Sequence, residues 1–274
     1  MRLRVAHTSV YRYDPPASGV IQVLRLTPRN HDGQYIVGWR IDVTPDARLA
    51  AHEDAFGNIT HVFTADGPLR ELRVEVDGQV ETQNTDGVVR GTVERFPPSL
   101  FLRDTVLTQA DAAVRDFAAK IRAVSGGVVL AELHGLLDRL HEDMSHEEAK
   151  PDDAERANTE ANAAKSFALK RGTARDLTHI FIGAAHSLGI PARYVGGYAC
   201  GADASAAQDS GHAWAEAHVP DLGWVGFDPV NGFCPRDTHV RVAVGLDSLG
   251  AAPMRGTRLG AGAETLAVAI KVGQ

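Results

Sequence analysis

Apolar and polar positions alternate from the first residues of the chain. Leu3, Val5, His7 and Ser9 begin a two-residue period that runs on to Tyr11 and Tyr13, the pattern of a half-buried strand. Asp14-Pro15-Pro16 reads as a turn that ends it. Further apolar runs at 21–26, 35–43, 59–63 and 69–76 are separated by Asn30-His31-Asp32-Gly33, Phe56-Gly57-Asn58 and Asp77-Gly78. Short strands with turn signals at roughly ten-residue spacing predict a small β-sandwich or barrel over residues 1–98.

The period lengthens after Phe96-Pro97-Pro98. Thr108, with Asp111 three residues on, looks like a capping box. Val114, Phe117, Ala118 and Ile121 then form one helical face, which Ser125-Gly126-Gly127 breaks. Leu133, Leu136, Leu137, Leu140 and Met144 are the stripe of a second helix. Residues 145–162 are polar and acidic and read as a solvated loop. Beyond Gly172, Leu177, Ile180, Phe181, Ala184, Ala185 and Leu188 mark an amphipathic helix that Gly189 and Pro191 close. Strand-like runs follow at 192–198, 212–219, 223–227 and 265–272, with a small-residue loop over 201–211. These elements predict an α+β protein in two parts: a β-rich unit over 1–98, and a unit over 99–274 of helices packed on an antiparallel sheet, closed by the C-terminal strand.

Composition narrows the function. A net charge of −7, from 35 acids against 28 lysines and arginines, disfavours nucleic acid and anionic membrane as partners. No apolar stretch reaches the length of a membrane helix and no signal core is visible, so a cytoplasmic protein is expected. Two cysteines, Cys200 and Cys234, are too few for a disulfide framework or a thiolate metal site and read as free thiols. His146, Glu147 and Asp152 could supply metal ligands, as could His179 and His186, seven residues apart on one helix. Solvated charge and core packing explain both groups more simply, and no metal or cofactor is expected.

Three segments carry candidate chemistry. Thiol acyl transfer needs a thiol at a helix N-terminus, an imidazole to take its proton, and a polar group to orient the ring. The chain offers that order of parts in Thr173-Ala174-Arg175-Asp176, Gly211-His212-Ala213-Trp214 and Gly223-Trp224-Val225-Gly226-Phe227-Asp228-Pro229. Together with Gly189-Ile190-Pro191-Ala192-Arg193-Tyr194-Val195-Gly196-Gly197-Tyr198, these segments resemble the bacterial transglutaminase-like family. Tyr11-Arg12-Tyr13-Asp14 and Leu24-Arg25-Leu26-Thr27-Pro28 are similar to its β-rich N-terminal domain, so the resemblance spans nearly the whole chain.

The resemblance implies a papain-type core in which His212 is the catalytic histidine and Asp228 its orienting partner. Arg175 and Trp214 would border the substrate. The family's helix typically begins Gly-Val-Cys-Gln-Asp-Phe-Ala-His, whereas this chain has Gly172-Thr173-Ala174-Arg175-Asp176-Leu177-Thr178-His179. Ala174 stands at the nucleophile position, and a methyl group cannot attack a carbonyl. Either a cysteine was exchanged for alanine in a working thiol enzyme, or the activity was lost. The further departures at Thr173, Arg175, Leu177, Thr178 and Ser248, the last where the family usually shows an aromatic, favour loss. Thr173 is a poor substitute because a side chain one position along a helix points about 100° away. Cys200 and Cys234 would have to swing in through loops. The expectation is a silent homologue that binds a peptide or protein. The rival readings are an active protease or amide-transferring enzyme and a purely structural module. Neither the partner nor the oligomeric state is legible.

Overall fold

A computed structural model describes residues 1–148, 162–201 and 210–274. Two antiparallel sheets and four helices organise them, together with a short parallel strand pair.

The first sheet is built on two long bent strands, β1 (Arg2–Thr27) and β4 (Ile59–Thr82). Their N- and C-terminal halves pair separately. Residues 2–12 of β1 meet 71–81 of β4, and 17–27 meet 59–69, with register shifts between Arg12, Ala17 and Gly19. Asp14-Pro15-Pro16 therefore bends a strand and does not end it. Asp77-Gly78 also lies inside β4: a Cβ at Gly78 would fall 2.1 Å from the Trp39 ring, so the glycine clears a path for that indole across the ladder. β2 (Gln34–Thr44) and β3 (Ala50–Glu53) line opposite halves of β4. Tyr11, Tyr13, Val20, Leu24, Phe63, Leu72 and Val74 come from both halves and share one core, so the bent sheet closes on itself in sandwich fashion.

The second sheet has the order β11-β8-β9-β10-β5. Its strands are β5 (Val88–Val89), β8 (Ala192–Ala199), β9 (His212–Val219), β10 (Gly223–Phe227) and β11 (His239–Gly245). Packed on it are α1 (Ala112–Ser125), α2 (Val129–Asp143), α3 (Ala163–Leu169) and α4 (Ala174–Ser187). The cap of α1 is Asp111, whose carboxylate accepts from Val114 N at 2.9 Å. Thr108 instead accepts from Thr105 N, so the expected capping box starts three residues too early. α4 is buried at every position from Asp176 to Ala185, not amphipathic. It lies between the sheet and the other three helices, and a Cβ at Gly183 would meet Thr108 O at 2.3 Å.

A boundary at residue 98 does not separate the two units. β5 already belongs to the second sheet. The C-terminal strands, β12 (Met254–Leu259) and β13 (Ala263–Gly273), return to the first and pair antiparallel with β1. The expected closing strand of the second unit is thus an edge of the first. Leu3, Val5, Val80, Ile270 and Val272 bury their side chains in the same core as the helices. Asn58 and Gln34 each exchange hydrogen bonds with the β11 backbone, at Val244 and Arg241. No helix among the described residues is long and apolar enough to cross a membrane.

Candidate functional site

Ala174 is the first residue of α4, after the N-cap Thr173. The chain reaches this point through a parallel pairing of β6 (Ser145–His146) with β7 (Arg171–Gly172). Asp176 then turns back so that its Oδ2 accepts from Thr173 N at 3.0 Å and Thr173 Oγ1 at 2.8 Å. That fixes the helix start and turns the threonine hydroxyl back onto Asp176. Thr178 spends its own hydroxyl on Ala174 O at 2.7 Å. The Ala174 methyl is only partly buried against the core, at the end of the helix where the unpaired N–H groups give a partial positive charge.

α4 packs on β9 and β8, and His212 is the first residue of β9. Its Nε2 lies 2.6 Å from Asp228 Oδ2, so the proton sits on Nε2 and Nδ1 is the basic nitrogen. Asp228 follows β10 directly and is fully buried. A tight turn returns the chain to it, with Asp228 N donating to Phe233 O at 3.1 Å and Gly232 N to Asp228 O at 2.9 Å. Oδ1 accepts from the backbone of Val230 and Asn231 at 3.0 and 3.2 Å, and Oδ2 also receives Asn231 Nδ2 at 2.7 Å. Burial alone would push this carboxyl up. The charge and hydrogen bond of His212 and the hydrogen bond of His239 overcome it and hold Asp228 well below the usual carboxylate range.

His239 is the site residue the sequence reading passed over. It opens β11 and its Nε2 lies 3.1 Å from Asp228 Oδ2. Arg236 N donates to its Nδ1 at 3.3 Å, which places the ring proton on Nε2, facing the carboxylate. The available signal was the alternation His239-Val240-Arg241-Val242-Ala243-Val244, a strand with a histidine at its start.

Nε2 of His212, Oδ2 of Asp228 and Nε2 of His239 lie within 4.8 Å of one another, a spacing that would suit a metal ion. The donor set does not. Nδ1 of His239 accepts from Arg236 N, so its Nε2 carries the ring proton and has no lone pair to offer, which leaves two ligands, His212 and Asp228. Of the other metal candidates, Asp152 lies outside the described residues and Glu147 is ion-paired with Arg171. His186 engages Asp104 and Ala192 O, while His179 accepts from Ser248 N. The two helix histidines therefore serve separate partners.

Trp214, expected beside the substrate, is a buried side chain. It is 2% exposed and lies beneath the site, its ring edge-on to His239 at 5.3 Å and tilted against His212 at 6.1 Å. Trp224 is likewise core, with the Arg193 guanidinium 3.9 Å above its ring. Arg175 is half-buried at the helix start, 3.6 Å from Asp176 Oδ1. His146 pairs with Gly172 and its pKa is lowered by burial first and by the nearby His212 second. Around Ser248, the buried Oγ, His179 Nδ1 and Asp176 Oδ1 have no hydrogen-bond partner among the described residues. Burial lowers the pKa of His179 to about 4. Cys200 leans on Val272 O at 3.5 Å. Burial first, with Asp86 adding to it, pushes Cys234 up to about 11.

Comparisons with known proteins agree with this architecture. The family model of the bacterial transglutaminase-like N-terminal region matches residues 3–81, and that of the transglutaminase-like superfamily matches residues 130–229. An uncharacterized protein of Mycobacterium leprae is 27% identical over 280 residues, covering 99% of this chain and 98% of that protein. The uncharacterized protein YebA of Bacillus subtilis is 34% identical over 77 residues, covering 24% of this chain and 10% of YebA. Among solved structures, a candidate cysteine protease from Cytophaga hutchinsonii superposes with a TM-score of 0.77 at 19% identity, covering 100% of this chain and 90% of that one.

Proposed function

Since the chain belongs to the transglutaminase-like superfamily, we propose that it is a catalytically silent member that holds a peptide or protein segment at the N-terminus of α4. One observation carries this reading. The His212–Asp228 pair is fully assembled, at 2.6 Å and with every carboxylate lone pair engaged, while the position that should attack is a methyl. A base without a nucleophile cannot form an acyl intermediate. The polar pair and the helix N-terminus still offer donors and an acceptor to an extended backbone. The other thiols do not replace the missing one, because Cys234 is held protonated and Cys200 sits against the C-terminal strand.

Two measurements test the proposal. Incubated with a randomised peptide library, the protein should produce no cleavage and no amide exchange by mass spectrometry. Products that vanish on alkylation and on replacing Cys200 or Cys234 by serine would overturn the silent reading. The immobilised protein should also retain a subset of the library, and Ala174→Trp should release it by filling the space above the helix start. Failure to retain any peptide would leave a structural module.

A further inference from the structure

We infer that His239 is a positioning residue of this site: with Asn231 it locks the Asp228 carboxylate onto His212, making the pair part of a four-residue unit. The inference rests on the reading above in one respect, that position 174 is where a nucleophile would meet His212.

A carboxylate tied to one imidazole is free to turn about its last torsion. Here that freedom is gone. Two backbone N–H groups hold Oδ1, and His212, Asn231 and His239 all point donors at Oδ2. His239 differs from the other donors in how it is fixed. It is 7% exposed, and the Arg236 N–H on Nδ1 sets its tautomer. Its ring packs edge-on to Trp214 at 5.3 Å and to Phe233 at 6.0 Å. β11 and β9 are the two neighbours of β8, where His239 faces Ala199 and His212 faces Gly197. The sheet thus brings both histidines to one edge, with ring centroids 5.7 Å apart. A buried carboxylate with fewer neutral donors would draw harder on the remaining ones and lose its single orientation. Trp214 lies against both rings.

The test uses the full chain with Ala174→Cys, Cys200→Ser and Cys234→Ser, and the pH dependence of iodoacetamide alkylation at position 174. Arg175 and Asp176 on α4, His146 on β6, and Asp247 beyond β11 are common to all variants, so their effect on the thiol cancels. The parent thiol should titrate below the ordinary value of about 8.5. His239→Gln can place an amide N–H where Nε2 was and should keep that profile. His239→Asn reaches only the Nδ1 position and should raise the thiol pKa by about one unit, a roughly tenfold loss of thiolate at fixed pH. Asp228→Asn should raise it at least as far. Gln and Asn variants that both match the parent would overturn the inference, and so would two variants raised alike, since His239 would then act through packing alone. An unshifted parent thiol would instead sink the placement of position 174. The inference about His239 would then be decided in the chain with Ala174, by the 15N-edited resonance of the His212 Nε2–H. Retention in His239→Gln with loss into exchange in His239→Asn supports it, and retention in both overturns it.

Discussion

Asp228 and Cys234 lie six residues apart and show how far surroundings set the chemistry of a side chain. Asp228 is buried yet ionised, because five donors converge on it. Cys234 is partly buried beside Asp86 and meets no compensating cation strong enough to stabilise a thiolate. From 9.0 to about 11, its thiolate fraction at pH 8 falls roughly a hundredfold. The greater basicity of the thiolate restores less than tenfold of that reactivity. Cys234 should therefore alkylate at least about tenfold more slowly than a free thiol of ordinary pKa, as read by mass spectrometry of peptides after timed iodoacetamide exposure. A similar logic governs Glu216, which is completely buried between Arg193 and Arg241 with contacts of 2.7 Å to each. Burial raises its pKa, but the two guanidinium groups win and hold it at about 2. Glu216→Ala should destabilise the fold by about 3 kcal/mol, because it strips Arg241 of its carboxylate and leaves Arg193, itself 2% exposed, with Glu94 alone to compensate it. Urea denaturation checks this by a lower midpoint at unchanged slope.

At the scale of elements, α1 and α4 respond to different single changes. α1 depends on one cap, so Asp111→Ala should cost about 1 kcal/mol through the lost bond to Val114 N. α4 is enclosed on all sides, and Gly183 is where the segment before α1 crosses it. A methyl there would sit 2.3 Å from Thr108 O, and backbone cannot yield as a flexible side chain can. Gly183→Ala should therefore cost more than the cap, about 1–3 kcal/mol, despite alanine's better helix propensity. Thermal unfolding of the two variants side by side gives the order. The reverse order would mean that the Thr108 crossing relaxes freely.

For the whole molecule, the two units exchange strands across the chain and share a core, and protonation couples to both. His7, in the first sheet, meets Tyr198 OH of the second at 2.9 Å and is buried, which lowers its pKa to about 4. His179, in the centre of the helical unit, is lowered to the same value. Between about 4 and 6.5 the unfolded chain binds these protons and the folded chain does not. Stability from both is therefore complete above pH 6.5 and falls as pH drops toward 4, by up to about 1.4 kcal/mol per pH unit for each histidine. Urea midpoints at pH 7.5, 6 and 5 should decline accordingly, and His7→Asn should flatten the decline. Removal of residues 254–274 takes away β12 and β13, two of the three strands paired with β1, and leaves only β4 beside it. That truncation should unfold the first sheet and expose Leu3 and Val5, seen as lost cooperativity in urea and as aggregation.

The sequence alone determined the α+β class, the start of α4 at Gly172-Thr173-Ala174, and the strands that carry His212 and Asp228, because each has a local signature: a period, a cap, or a glycine-bounded strand. Its turn signals misled at Asp14-Pro15-Pro16 and Asp77-Gly78, where the strand needed a bend or room for Trp39, which lies far away in the chain. Tertiary structure decided the rest. Burial of α4 on every face depends on what covers it, and the outer face of an amphipathic pattern does not report that. The return of β12 and β13 to the first sheet is a pairing choice that alternation cannot specify, since any edge of matching period would accept them. His239 joined the site for the same reason. Nothing within its own segment points to Asp228, and only the order β11-β8-β9 brings the two histidines to one carboxylate.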